Sequence, residues 1–275
     1  MKDIVSTIAK GFAVGAGMSI PGISGGTTAM LLGIYDRLVC SVSRMFSEPR
    51  ERVPFLLWFA LGGAAGVFLA AGIVAALLDS PAGLPLKFAF LGAAAGGIPI
   101  IFRKADLRRL KPLGALEIAL GAGAALGIGL LPEGLFAVGG GGICEVLLQL
   151  LAGVLTAAAL VLPGISASHI MYVLGIYESA AQRLACGDIL PLVPLAVGVA
   201  LGTFLTARVL ERLLTKHNRG CLLVILGFMT ASLWELLPRN ADGVQTAIGA
   251  VCAAVTFLAV RWLSSHGDRT AEGAS

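Results

Sequence analysis

The sequence predicts an all-α, polytopic membrane protein built as two inverted repeats, each a broken, re-entrant helical hairpin followed by three transmembrane helices. Three observations lead there. The 275-residue chain is 57% hydrophobic and 13% charged, with a mean hydropathy of +0.91, whereas soluble domains carry about 25% charged residues. Apolar runs of roughly 17–25 residues, the length that crosses about 30 Å of hydrocarbon, fill most of it. The stretch "SIPGISGGTTAMLLGIYDRL" (19–38) returns as "VLPGISASHIMYVLGIYESA" (161–180).

The first repeat occupies 1–131. Its hairpin, 4–40, has a first arm of about 16 residues, roughly 24 Å as a helix, and a shorter second arm. Neither is long enough to span, and Pro and Gly interrupt the pair, so it dips in and returns. Transmembrane helices are predicted at 54–79, 85–103 and 113–131, from the runs Phe55–Leu78, Leu84–Phe102 and Leu113–Leu131. The second repeat, 132–264, opens with a hairpin at 143–180, whose first arm is long enough to span. Transmembrane helices at 190–214, 220–238 and 245–263 follow. The polar tail, 265–275, is predicted to be disordered and cytoplasmic.

At an offset of 142, Gly11 pairs with Gly153, Pro21 with Pro163, Gly22 with Gly164, Ile23 with Ile165 and Ser24 with Ser166. Gly33-Ile34-Tyr35 then pairs with Gly175-Ile176-Tyr177, and acidic Asp36 with acidic Glu178. Further on, "FALGGAAGVFL" (59–69) matches "LAVGVALGTFL" (195–205). Their Gly62/Gly66 and Gly198/Gly202 spacings suit close helix packing. A hairpin that returns to its own side leaves three crossings per half, an odd number, so the second half is upside down. Charge agrees: of the 20 Lys and Arg, all but Lys87, Arg183 and Arg239 fall in segments on the N-terminal side. That positive-inside bias puts both termini in the cytoplasm, and paired inverted repeats are typical of secondary transporters.

The formal charge of +4 is scattered between apolar runs and sets topology; it makes no nucleic-acid patch. Met1–Lys10 is polar and unlike a cleaved signal. Cys40, Cys144, Cys186, Cys221 and Cys252 lack CxxC spacing and read as small apolar fillers, with no disulfide frame and no metal site. No cofactor is expected. Coupling to a proton or sodium gradient stays open, because few carboxylates lie in the apolar runs.

Non-helical backbone is intolerable in lipid, so each break must be buried in protein or line a wet cavity. Two readings fit it. Pro-Gly-x-Ser before a helix is an ordinary turn with an N-cap. It is also an anion site, in which unpartnered amides, hydroxyls and the helix dipole receive negative charge. Ser24, Gly25, Gly26 and Thr27 supply such groups at the first break; Ser166, Ser168 and His169 do so at the second. Two copies at matching points of inverted repeats favour a substrate path, with the breaks facing one another near the midplane.

His169, the one histidine in an apolar segment, is either a structural donor or a proton-coupling or phosphate contact. Arg37 and Arg103 are candidates to receive a headgroup at the cytoplasmic mouth, or plain helix anchors. Glu145 and Gln149 share a helix face at i, i+4, either solvated or lining the path.

With PGISGGT, LLGIYDRL and the second PGIS…LGIY, the chain resembles the PopT-type polyprenyl-phosphate transporter family over about residues 4–263. The resemblance implies translocation of undecaprenyl phosphate, the lipid carrier of cell-wall synthesis, across the bacterial cytoplasmic (inner) membrane for recycling. It implies a polyprenyl-phosphate lipid as substrate, other membrane lipids as neighbours, no nucleic acid and no enzymatic step. The family's motif residues here are Pro21, Gly22, Ser24, Gly25, Gly26 and Thr27, then Pro163, Gly164, Ile165 and Ser166. Relatives commonly carry Gly-Ser after the second PGIS, where this chain has Ala167-Ser168-His169. Ala167 holds the backbone further from an oxygen ligand, which sets the two breaks apart.

Two other functions use the same residues. A transporter or channel for a small water-soluble anion needs a closed polar vestibule instead of an opening to lipid. A membrane lipid-pyrophosphate phosphatase needs a nucleophile or base with clustered basic clamps, and the single membrane histidine argues against it. Oligomeric state, prenyl length and direction of transport leave no mark in the residues.

Overall fold

The computed structural model describes residues 2–19, 24–105, 112–135, 142–237 and 243–272, and these are α-helical throughout apart from turns and one short 3₁₀ segment. The first half contains α1 (Lys2–Met18), α2 (Gly25–Leu31), α3 (Tyr35–Ser43), α4 (Pro49–Leu78), α5 (Gly83–Lys104) and α6 (Pro112–Gly129). The second contains α7 (Ile143–Val161), α8 (Ala167–Val173), α9 (Tyr177–Ala185), α10 (Val193–Lys216), α11 (Asn218–Leu236) and α12 (Gly243–Glu272).

Among the described residues, 6 helices are long and apolar enough to cross a membrane: α4, α5, α6, α7, α10 with its preceding turn, and α12. Only 6% of the α12 window and 11% of the α4 window are buried in protein, so their apolar side chains face outwards. Phe68 and Leu130 are 84% and 85% exposed. Surfaces of that kind belong in hydrocarbon, and the chain is a multi-pass membrane protein. α11 is also apolar and lies inside the bundle, with Leu222, Leu223, Ile225 and Leu226 buried.

The hairpin arms break twice, where one break was expected. After α2, Gly33 takes φ +64, and after α8, Gly175 takes φ +70. The Gly33 amide donates to Met30 O and the Ile34 amide to Ala29 O, each at 3.0 Å; Gly175 and Ile176 repeat this with Tyr172 O and Met171 O. This is the Schellman stop, in which a left-handed glycine satisfies the last carbonyls of a helix. The repeated Leu-Gly-Ile-Tyr therefore ends one short helix and starts another at Tyr35 or Tyr177.

Packing follows the glycines. α1 runs alongside α4, where a Cβ on Gly62 would strike Ile8 O and one on Gly66 would strike Phe12 O. α7 runs alongside α10, where Gly198 meets Leu150 O and Gly202 meets Val154. These positions correspond through the repeat, so one solution is used twice. The remaining helices cross over: α5 packs on α12, and α6 on α11. Gly92 lies against Ala253 O, and Gly227 against Ile118 O.

α12 continues past 264 to Glu272. The segment 264–272 contains no proline, and extending an existing helix adds one hydrogen bond for each residue fixed.

Candidate functional site

The two breaks lie against each other. Ser24 caps α2: its hydroxyl accepts the Gly26 amide at 3.2 Å and donates to Leu162 O at 3.2 Å. The Thr27 hydroxyl accepts the Gly164 amide at 3.1 Å. A Cβ on Gly26 would sit 3.0 Å from both Pro163 N and Val161 O. Just beyond, the Tyr35 hydroxyl donates to Val161 O at 3.0 Å. These bonds reach across about 130 residues of chain and join the first hairpin to the end of α7. Buried carbonyls at a helix C-terminus need such donors, having none within the helix.

This contact divides the work unequally. Ser24, Gly25, Gly26 and Thr27 are all buried, and the two hydroxyls are used on the opposing break. At the second break, Ser166 caps α8 and accepts the His169 amide at 3.4 Å. Its oxygen lies 2.9 Å from that of Ser168. With Ser168 donating, the Ser166 oxygen accepts two bonds and its own hydrogen is available for a ligand. Ser168 is exposed, and Ser166 and His169 are half-buried.

A cavity of about 340 Å³ opens at this second break. Gly164, Ile165, Ser166 and His169 form one wall; Ala231, Ser232 and Trp234 of α11, Ala125, Leu126, Ile128 and Gly129 of α6 and Leu130 just after it form the others. α6 and α11 run in the same direction, with Glu117 against Gly220 near their starts and the cavity between their ends. Hydroxyls and an imidazole thus face an apolar helix across a space of small-headgroup size. A second cavity, about 370 Å³, lies beside the first break and is almost wholly apolar, with Val14, Met18, Gly25, Gly26, Val39 and Phe59 in its lining.

The remaining predicted residues sort as follows. Pro21 and Gly22 lie outside the described residues. Pro163 is buried, and Gly164 takes φ +85, with Phe228 C and Met229 N only 2.6 and 2.7 Å from where a Cβ would sit. Arg37 stacks over the Phe55 ring at 4.3 Å, and Arg103 is exposed at the end of α5. Neither lines the cavity at the second break. Gln149 donates to Glu145 at 3.3 Å in a small space between α7, α9 and α10. Sequence reasoning missed Ser232 and Trp234, which approach the second break only because α11 packs on α6. It also missed Arg44, whose Nε meets the Glu211 carboxylate at 2.6 Å and ties the end of the first hairpin to α10. That bond raises the Arg44 pKa further and keeps it charged.

A family model described as "VCA0040-like: Undecaprenyl phosphate translocase-like" matches residues 14–251. A "Polyprenyl-phosphate transporter" of Vibrio cholerae is 28% identical over 254 residues, covering 86% of this chain and 78% of the relative. A "Polyprenyl-phosphate transporter" of Staphylococcus aureus is 29% identical over 244 residues, covering 84% and 85%. No solved structure matches the chain.

Proposed function

The chain belongs to the undecaprenyl phosphate translocase-like family, and from that premise we propose that it moves a polyprenyl phosphate across the bacterial inner membrane for recycling in cell-wall synthesis. It acts as a transporter and catalyses no bond-breaking step. The observation that supports this best is the cavity at the second break, where the Ser166 hydroxyl and His169 face the apolar ends of α6. A phosphate monoester on a long prenyl chain has the same division: a headgroup that needs hydrogen bonds when it leaves water, and a tail that needs none.

In this reading Ser166, Ser168 and His169 receive the phosphate. Ser24, Gly25, Gly26 and Thr27 build the opposing break and hold the second one in place, and take the headgroup when the contact between the breaks is released. Ser232 and Trp234 face the headgroup from α11. Arg37 and Arg103 attract the anion towards the cytoplasmic mouth. Domain bounds of 1–131 and 132–264 make two inverted repeats with re-entrant hairpins and cytoplasmic termini. The positive-inside bias supports that orientation, and the recurrence of one glycine packing in α1–α4 and α7–α10 supports the two repeats. The apolar α6 wall favours a lipid-borne anion over a small water-soluble one.

The test uses purified protein in liposomes that carry polyprenyl phosphate in both leaflets, with a membrane-impermeant phosphatase outside. Hydrolysis that runs on into the inner-leaflet pool supports the reading. Hydrolysis that stops at the outer-leaflet pool, as in protein-free vesicles, refutes it.

A further inference from the structure

The two halves share a motif yet are docked differently. In the first, α3 lies against α10, and Tyr35 is 2% exposed with its hydroxyl on Val161 O at 3.0 Å. At the offset of 142, Tyr35 corresponds to Tyr177 and Val161 to Ser19. Tyr177 instead stacks on Tyr172, with centroids 4.1 Å apart, and is half-buried. The cavities differ in the same sense. The space at the second break holds about 340 Å³. The space between α2 and the end of α5, at Gly97, holds about 10 Å³. Leu31 and Met229 fill it, closing on Gly97.

We propose that Tyr35 and Tyr177 are paired positioning residues, each latching its own hairpin to the other half in one of two alternating states. The inference rests on the inverted-repeat reading above. The structure holds the Tyr35 latch closed and the cavity at the second break open. In the opposite state Tyr35 releases Val161 O and Tyr177 donates to the carbonyl of Ser19, at the end of α1. The space beside Gly97 then opens while that beside Ser166 shuts. The chemistry is the same on both sides: a tyrosine placed by a Schellman stop supplies a donor to a carbonyl that a helix end leaves unpartnered.

One such bond, at its net worth in a folded protein, shifts a two-state population about two- to tenfold. The test places a reporter cysteine at Leu126→Cys, in the open cavity, or at Ile100→Cys, in the closed one, after the native cysteines are replaced. Labelling by a water-soluble maleimide is measured in liposomes. Tyr35→Phe lowers the Leu126-to-Ile100 labelling ratio about two- to tenfold, and Tyr177→Phe raises it. A Tyr35→Phe ratio that does not fall, or the same direction of change in both variants, overturns the proposal. Should Tyr35→Phe fail to accumulate, Tyr177→Phe decides alone: a raised ratio supports the latch and an unchanged or lowered one overturns it. Labelling needs no substrate, so a chain that exchanges states but moves no polyprenyl phosphate refutes the functional reading and keeps the latch.

Discussion

The Thr27 hydroxyl accepts the buried Gly164 amide at 3.1 Å, so a side chain of the first motif completes the backbone of the second. Replacing it with the near-isosteric valine leaves that amide without its acceptor. The cost is about 1–3 kcal/mol, and in a domain this size each kcal/mol lowers the melting temperature by roughly 2–4 °C. Thr27→Val therefore melts several degrees below the parent in detergent, while Thr27→Ser stays close to it. Thermal unfolding by intrinsic fluorescence checks both.

Glycine substitutions separate strain from collision. Gly33 has φ +64 with nothing within 4 Å of an added Cβ, so Gly33→Ala costs only the left-handed penalty, about 1–2 kcal/mol. Gly164 combines φ +85 with backbone of Phe228 and Met229 at 2.6–2.7 Å. Gly164→Ala accumulates poorly as folded protein, and Gly33→Ala accumulates well. Size-exclusion profiles of the two variants distinguish them.

Ser24 and Ser166 occupy equivalent positions and are expected to fail differently. Ser166 lines the open cavity, whereas Ser24 is committed to Gly26 and Leu162. A hydrogen bond to a charged group is worth about 1.5–3 kcal/mol, so Ser166→Ala slows liposome translocation about 10- to 100-fold with little loss of melting temperature. Ser24→Ala lowers the melting temperature first. Measuring rate and melting together separates the two effects.

Ser232 has small volume and faces the same cavity from α11. Ser232→Phe fills that space with an aromatic ring, and is predicted to stop translocation while the protein still folds. Retained transport would show that the headgroup travels elsewhere.

The Arg44–Glu211 contact is short, but Arg44 is 46% exposed. An ion pair with one partner open to solvent contributes little. Arg44→Ala accordingly shifts melting by no more than a few degrees, and added salt weakens the parent's advantage.

The helices and the doubled motif were legible because their signals are local: hydropathy, Pro-Gly punctuation and a repeat visible by offset. The second interruption at Gly33 and Gly175 was written in Leu-Gly-Ile-Tyr, yet needed the backbone conformation to separate a stop from a flexible residue. The unequal roles of Ser24 and Ser166 could not be read, since equal residues acquire different partners only when the halves dock. Ser232 and Trp234 were hidden for the same reason: nothing near them in sequence indicates that α11 packs on α6.

The cross-over of α5 onto α12 and of α6 onto α11 constrains how the molecule is made. As the ribosome delivers the chain, α5 enters the bilayer long before its mate exists, and its small-residue furrow at Gly92 and Gly96 stays covered by lipid alone. A product truncated before residue 243 carries an α5 face without its partner, so that packing is completed only with the final helix.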